Sequence, residues 1–437
     1  MILFGLVILL LLKNILRDRT ELVSPRTFFL LGYLIVLGRG ALMGSLYGYA
    51  GNEQTFQDVI FWATAGLIAF EVGTWSKSPP RLIRKVFVKD YKFNYQRLYL
   101  VAIVCLLIGV AAVLYLAYGY SLGVVDYLMA LRSLHVDEGE GPIGERYVGW
   151  ISNIGIAAGG LSFGILLRHH WSRSKQVILI VIIVIAGLLT VHGGGRFSIF
   201  QYGCALALLW FLSKSESWHL KVRKYVGIAI LLLLTLTSAS IIGTYRDYGL
   251  QELKTVDTNP EQMLNDTNIL TSTVDTFEFF PKRHDYLYGS TFAILPATFV
   301  PRAMWPEKPE LLGVIIVRLR NVDELSYSEA VSTVGELYAN FGVLGIPIGM
   351  FFYGLVCRWL FVLYRRNQEN VQFVILYVLS LPFFAMHVRG EFVTVWAHYL
   401  SFAIPLYAGI RFCRRSVYRR RYEPLSSAQI RPVGAGF

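Results

Sequence analysis

Long apolar runs separated by short polar loops set the pattern of this chain. Runs long enough to cross a bilayer fall near 1–16, 27–47, 56–75, 97–120, 147–168, 176–192, 195–212, 225–243, 332–363, 371–388 and 391–412. A spanning helix needs about 20 mostly apolar residues, because it rises about 1.5 Å per residue through a hydrocarbon core about 30 Å thick. The pattern predicts an all-α, polytopic integral membrane protein with about 11 transmembrane helices. The first run is short and follows Met1 without a basic leader or a small-residue cleavage site, so it is expected to be a retained span rather than a signal peptide. The pairs flanking Gly193 and Gly390 leave room only for tight turns. No repeat or low-complexity linker divides the chain, and residues 1–437 read as a single membrane domain.

The loops alternate in charge. Lys13, Arg17, Arg19 and Arg26 fall in the first, and Lys77, Arg81, Arg84, Lys85, Lys89 and Lys92 in the third. Later odd loops hold Arg173 and Lys175, then Lys214, Lys221, Arg223 and Lys224, then Arg365 and Arg366; the tail holds Arg414, Arg415, Arg419, Arg420 and Arg421. The positive-inside rule makes these cytoplasmic, with the N-terminus outside and the C-terminus inside. The intervening loops agree, since 48–55 carries Glu53 and 119–146 carries Asp126, Asp137, Glu138, Glu140 and Glu145. Against this bias, Arg196, Arg246, Arg302, Lys308, Arg318, Arg320 and Arg389 fall at or beyond the outer face.

Residues 244–331 form a large outer loop between the eighth and ninth spans, too long for a passive connection. Within it, Leu287 to Met304 is apolar but interrupted by Pro296 and Pro301, which predicts an interfacial or re-entrant element. The stretch from Asp247 to Asp285 reads as an exposed polar cap over a cavity.

Composition changes the picture little. At 55% hydrophobic and 16% charged residues, with a formal net charge of +12, the basic residues sit in short loops and do not suggest nucleic acid. Cys105, Cys204, Cys357 and Cys413 lie in or at the ends of apolar runs without ligand-like spacing, so they read as small buried hydrophobes rather than disulfides or a zinc site.

Four outer motifs carry candidate chemistry. His192-Gly193-Gly194-Gly195-Arg196-Phe197 places an arginine at a tight turn where a phosphate can be held bidentately, or where the side chain simply snorkels to the interface. Pro301-Arg302-Ala303-Met304-Trp305-Pro306-Glu307-Lys308-Pro309 fixes two cations and a tryptophan in a proline-bracketed turn; an interface anchor is the bland alternative. Ser332 to Gly342 opens a span, so Glu336, Tyr338 and Asn340 lie near the membrane boundary, where ionisable groups are costly and usually face a cavity. Glu336 there is a candidate base or a helix N-terminal acid, and Asn340 a candidate ligand or a helix-packing hydrogen-bonder. His387-Val388-Arg389-Gly390-Glu391 puts an imidazole, a guanidinium and a carboxylate at one turn, as acid-base and phosphate groups or as a hairpin ion pair. No metal motif, phosphate loop or cofactor signature is visible.

Together these segments resemble the Wzy-type O-antigen and oligosaccharide repeat-unit polymerases. The resemblance rests on Gly-Gly-Arg-Phe at 194–197, Tyr288-Gly289 leading to 301–309, Gly-Glu-Leu-Tyr-Ala-Asn-Phe-Gly at 335–342, and the Arg389-Gly390 turn. It implies a GT-C-like glycosyltransferase of the bacterial inner membrane that acts on undecaprenyl-diphosphate-linked oligosaccharide at the periplasmic face. A chain-length regulator and a flippase would be pathway partners. The chemistry expected is general-base catalysis by Glu336, with His387 or Glu391 as alternatives. Arg196, Arg302, Arg389 and Lys308 would neutralise the diphosphate in place of a metal, and Trp305, Tyr338 and Asn340 would bind sugar. An O-antigen ligase and a lipid-linked oligosaccharide flippase are the rival readings.

Overall fold

The structure, a computed structural model, describes residues 1–17, 19–49, 51–76, 79, 92–123, 127, 145–192, 196–212, 226–228, 230, 231, 234, 268–300, 304, 305, 307–320, 329–368 and 370–415. These are helical apart from turns and one two-residue antiparallel pair, β1 (Lys92–Phe93) with β2 (Arg414–Arg415). The helices are α1 (Ile2–Arg17), α2 (Pro25–Tyr47, with a wide π-type turn at Leu34–Gly38), α3 (Glu53–Thr74), α4 (Tyr95–Gly119) and α5 (Glu145–Leu166). They continue as α6 (Arg173–His192), α7 (Arg196–Leu212), α8 (Asn268–Phe279), α9 (Ser290–Ala297), α10 (Leu312–Leu319), α11 (Thr333–Arg366), α12 (Val371–Arg389) and α13 (Phe392–Phe412).

Every predicted run but one coincides with a described helix; the exception, 225–243, lies largely outside the described residues. Among the described residues, eight helices are long and apolar enough to cross a membrane. Ile2–Asn14 and Ser198–Leu212 are apolar but shorter. These spans make the chain a multi-pass membrane protein. Side-chain caps fix several starts: Asn52 accepts from Thr55 N at 3.2 Å, Ser332 from Gly335 N at 3.2 Å and Asn370 from Phe373 N at 3.2 Å.

The loops assigned to one side gather at one end of the bundle. β1 and β2 join the third loop to the tail, and Arg358 near the end of α11 bonds Ser76 O at 3.3 Å and Glu21 Oε1 at 3.4 Å. The amino terminus lies beside Ser45 Oγ at 3.4 Å, at the opposite end of α2 from Arg26. α3 and α11 run in the same direction at close range: a Cβ on Gly73 would meet Phe351 O at 2.2 Å, and one on Gly354 would meet Phe70 O at 2.0 Å. Without hydrophobic drive between spans, such small-residue contact lets backbones approach and gain dispersion.

α8 corrects the expectation of an exposed polar cap over 247–285, of which residues 247–267 lie outside the described residues. Leu270, Val274 and Phe277 are buried in the core built by α1, α2, α3 and α11. Its hydroxyls hide within the helix, Thr273 Oγ1 donating to Ile269 O and Thr276 Oγ1 to Ser272 O, each at 2.6 Å. Polar composition therefore misread a packed helix as surface.

α11 is broken at Gly342, whose φ of 67° and ψ of −163° are essentially open only to glycine. The preceding carbonyls of Ala339 and Asn340 accept from Leu287 N at 2.9 Å and Tyr288 N at 3.1 Å. The first turns of α11, buried from Thr333 to Asn340, thereby become a separate unit locked to the α8–α9 connection.

Candidate functional site

The start of α11, the end of α12 and the start of α13 meet at the end of the bundle that carries α8–α10. Glu336 sits in the first turn of α11, yet its Oε2 accepts from Phe392 N at 2.8 Å, the first amide of α13. Glu391 is the residue before α13 but does not cap it. Its Oε1 instead accepts from Gly313 N, and its carboxylate also draws on Leu312 N, so it caps α10. A carboxylate at a helix N-terminus satisfies orphan amides and complements the helix dipole. Thr333 Oγ1 donates to His387 O at 2.6 Å, tying α11 to the last turn of α12.

The imidazole of His387 lies among rings, with centroids of Tyr353 at 4.7 Å, Phe392 at 5.8 Å and Trp396 at 6.1 Å. His387 and Glu336 are fully buried and Glu391 is 4% exposed. Glu336 Oε1, both ring nitrogens of His387, Glu391 Oε2 and Trp396 Nε1 have no hydrogen-bond partner in the chain. The Thr291 hydroxyl, which accepts from Asn340 Nδ2 at 2.8 Å, is within reach of the Glu336 carboxylate. Buried polar atoms without partners are scarce in native proteins, and here they gather at one place. Burial pushes the Glu391 carboxyl up to about 7, against the lowering effect of its Gly313 and Leu312 amide bonds. The arrangement can hold and move a proton at either carboxylate.

The structure brings the three predicted acid-base residues together, but sets several other candidates to holding the fold. Asn340 donates to Thr291 Oγ1 and to Glu336 O at 2.7 Å, and its Oδ1 accepts from Gly289 N at 2.9 Å. Tyr338 donates to Phe280 O at 3.1 Å and stacks on Phe277 at 3.8 Å. Both are buried, so the polar groups assigned to sugar are engaged within the chain. Lys308 is 9% exposed and its Nζ donates to Thr298 O at 3.1 Å and Val300 O at 3.3 Å, which fastens the proline-rich turn to the carbonyls following α9. Trp305, in contrast, is 42% exposed. Arg389 is half-buried at the end of α12 beside this cluster and keeps a contact within the chain. Arg302 and the side chains of His192 and Arg196 lie outside the described residues.

Two further cations of this end have partners that explain them. Arg318 pairs with Glu310 at 2.7 Å, and Arg320 bridges Asp275 and Glu329. Among the described residues, no group of three or more His, Cys, Asp and Glu side chains is placed to hold a metal ion.

Sequence reasoning missed Thr291, Tyr353 and Trp396 as neighbours of the cluster. Tyr353 and Trp396 sit inside apolar runs, where an aromatic reads as lipid-facing or core. The signal that could have found them is periodicity: Trp396 lies about one helical turn beyond Phe392, on the face that starts at the Glu391 turn.

Comparison with known proteins returns two family matches. Residues 329–421 match the family described as O-antigen polysaccharide polymerase Wzy, and residues 261–366 match a domain of unknown function, DUF8712. The first match contains Glu336, His387, Arg389 and Glu391; the second reaches from α8 into α11. No curated protein and no solved structure matches the chain.

Proposed function

We propose, from a Wzy-type chain with this buried polar cluster, that the protein polymerises lipid-linked oligosaccharide repeat units into an O-antigen or related surface polysaccharide. The substrate would be an undecaprenyl-diphosphate-linked oligosaccharide, used at the periplasmic face of the bacterial inner membrane. A flippase that supplies it and a chain-length regulator would act in the same pathway. The observation that carries the reading is the coincidence of the Wzy match at 329–421 with the unpartnered atoms of Glu336, His387 and Glu391. The loop charges supply the sidedness: the cluster lies at the end away from the basic loops.

In this reading Glu336 is the base. The acceptor hydroxyl oxygen attacks the anomeric carbon of the donor glycan, its proton passes to the carboxylate, and the bond to the departing diphosphate breaks. Arg196, Arg302 and Arg389 supply the positive field in which that diphosphate charge develops. Lys308, tied to Thr298 and Val300, contributes mainly by shaping the turn. Trp305, 42% exposed, would lie under a sugar ring, with Tyr338 and Asn340 supporting the wall behind it.

Deletion of the gene, followed by envelope polysaccharide analysis, tests this directly. A polymerase deletion leaves a single repeat unit on the anchor. Accumulated lipid-linked polymer with no transfer would instead indicate a ligase, and accumulated unflipped repeats a flippase.

A further inference from the structure

Arg39 lies inside the apolar run of α2, where a cation is expensive and usually marks a functional contact. At about 1.5 Å per residue it is about 12 Å along α2 from Tyr47, well within the span. The turn immediately before it, Leu34–Gly38, is of the wide π type, a local distortion frequent at functional sites. Arg39 lines a groove of about 210 Å³ between α2, the Gly48–Tyr49 turn and the start of α8.

Its walls suit a charged headgroup on a lipid. A Cβ on Gly40 would meet the Leu270 side chain at 2.8 Å, and one on Gly44 would meet Phe56 at 2.5 Å, so glycine is what lets α8 and α3 close the back of the groove. The Tyr49 hydroxyl, bonded to the Thr271 side chain, forms its upper edge. On the other flank Ile35, Met43 and Tyr47 are exposed along a spanning helix, which opens the groove sideways to the bilayer. Arg39 keeps a contact within the chain, but a guanidinium has several N–H donors and can add a phosphate to it. α8 separates this groove from the polar cluster: Leu270 and Thr271 face the groove, while Thr273 Oγ1 lies 2.8 Å from Ser332 Oγ, at the cap of the turn that holds Glu336.

We propose that this groove binds the diphosphate of a lipid-linked substrate from the bilayer side, with Arg39 as its anion ligand. The inference rests on the polymerase reading in one respect: that reaction consumes a lipid-linked donor and a lipid-linked acceptor, and so needs two diphosphate sites. The cations of the catalytic end provide one. The groove, on the far side of α8, provides the second.

The test is photo-crosslinking of a photoactivatable polyprenyl diphosphate to the full-length protein in phosphatidylcholine nanodiscs. Label should fall in peptides containing residues 35–49 or 270–271. Arg39→Gln should reduce it at least about tenfold, and Arg39→Lys by less, because lysine keeps the charge but loses the fork geometry. Met43→Trp, which fills the groove without touching the charge, should reduce labelling as well and keeps the test decisive if Arg39 variants fold poorly. Unlabelled polyprenyl diphosphate should compete. Equal competition by phosphatidylglycerol would mark a general phospholipid site, and equal competition by inorganic pyrophosphate a soluble-anion site; either overturns the proposal. So does labelling that survives both Arg39→Gln and Met43→Trp. Arg39-dependent labelling in a protein whose deletion leaves polymer length unchanged would keep the groove and remove the polymerase reading, so the two failures are distinguishable.

Discussion

Glu336 Oε2 accepts the Phe392 amide at 2.8 Å, so a carboxylate in the first turn of one span caps another span two helices later. Glu391, next to Phe392, gives its own carboxylate to the amides of α10. The two acids therefore hold three helix starts in register, and each keeps one oxygen unpartnered.

Capping and the proposed role as base separate at Glu336. Glutamine retains a carbonyl oxygen for the Phe392 amide, so Glu336→Gln should melt within about 1 kcal/mol of the native protein in detergent. Alanine leaves that amide without a partner, and Glu336→Ala should lose about 1–3 kcal/mol. Thermal unfolding monitored by circular dichroism reads both.

Glu391 makes the fold sensitive to pH. Its carboxyl stands at about 7, above the usual 4.5, so the folded protein binds the extra proton between those values. Stability should therefore fall as pH rises from about 4.5 to about 7, by about 3 kcal/mol at most, and level off above. Glu391→Gln should flatten that slope. Melting temperature against pH for both proteins is the measurement.

Asn340 and Gly342 fasten the α8–α9 connection to α11. Asn340→Ala should lose about 2–3 kcal/mol, since it strips partners from Gly289 N, Thr291 and the Glu336 carbonyl. Gly342→Ala should cost about 1–3 kcal/mol from backbone strain, with the new Cβ 3.2 Å from the Tyr286 hydroxyl. Trp305→Ala, at an exposed site, should change stability by less than about 0.5 kcal/mol while lowering polymer yield. Melting and polymer analysis on the same preparations distinguish the two classes.

Arg389→Lys should shorten or abolish polymer while leaving expression and melting near native, because lysine cannot reproduce a bidentate hold on phosphate. Full polymer length and amount from this variant would remove Arg389 from the diphosphate site.

Much of this architecture was legible because burial in a bilayer imposes long, unambiguous apolar runs. Two of the basic segments read as lying on one side, the third loop and the tail, do meet, since Lys92–Phe93 pairs with Arg414–Arg415. The clustering of Glu336, His387 and Glu391 was legible because they are polar residues where polarity is costly. What the sequence hid was partnership. Lys308, read as a diphosphate ligand, holds the carbonyls of Thr298 and Val300 that follow α9; Asn340, read as a sugar ligand or a packing hydrogen-bonder, bonds Gly289, Thr291 and Glu336 beside the break at Gly342. Arg39 escaped notice because averaging over an apolar run dilutes a single cation.

The central claim is that the Glu336 carboxylate, beyond its capping bond, removes the acceptor proton during glycosyl transfer. The most direct measurement is complementation of a deletion strain with Glu336→Gln protein shown to be folded and membrane-inserted, followed by electrophoresis of the envelope polysaccharide. The account predicts that the native gene restores the polymer ladder and the Gln variant leaves a single repeat unit on the anchor. A ladder of ordinary length and amount from the Gln variant would contradict it.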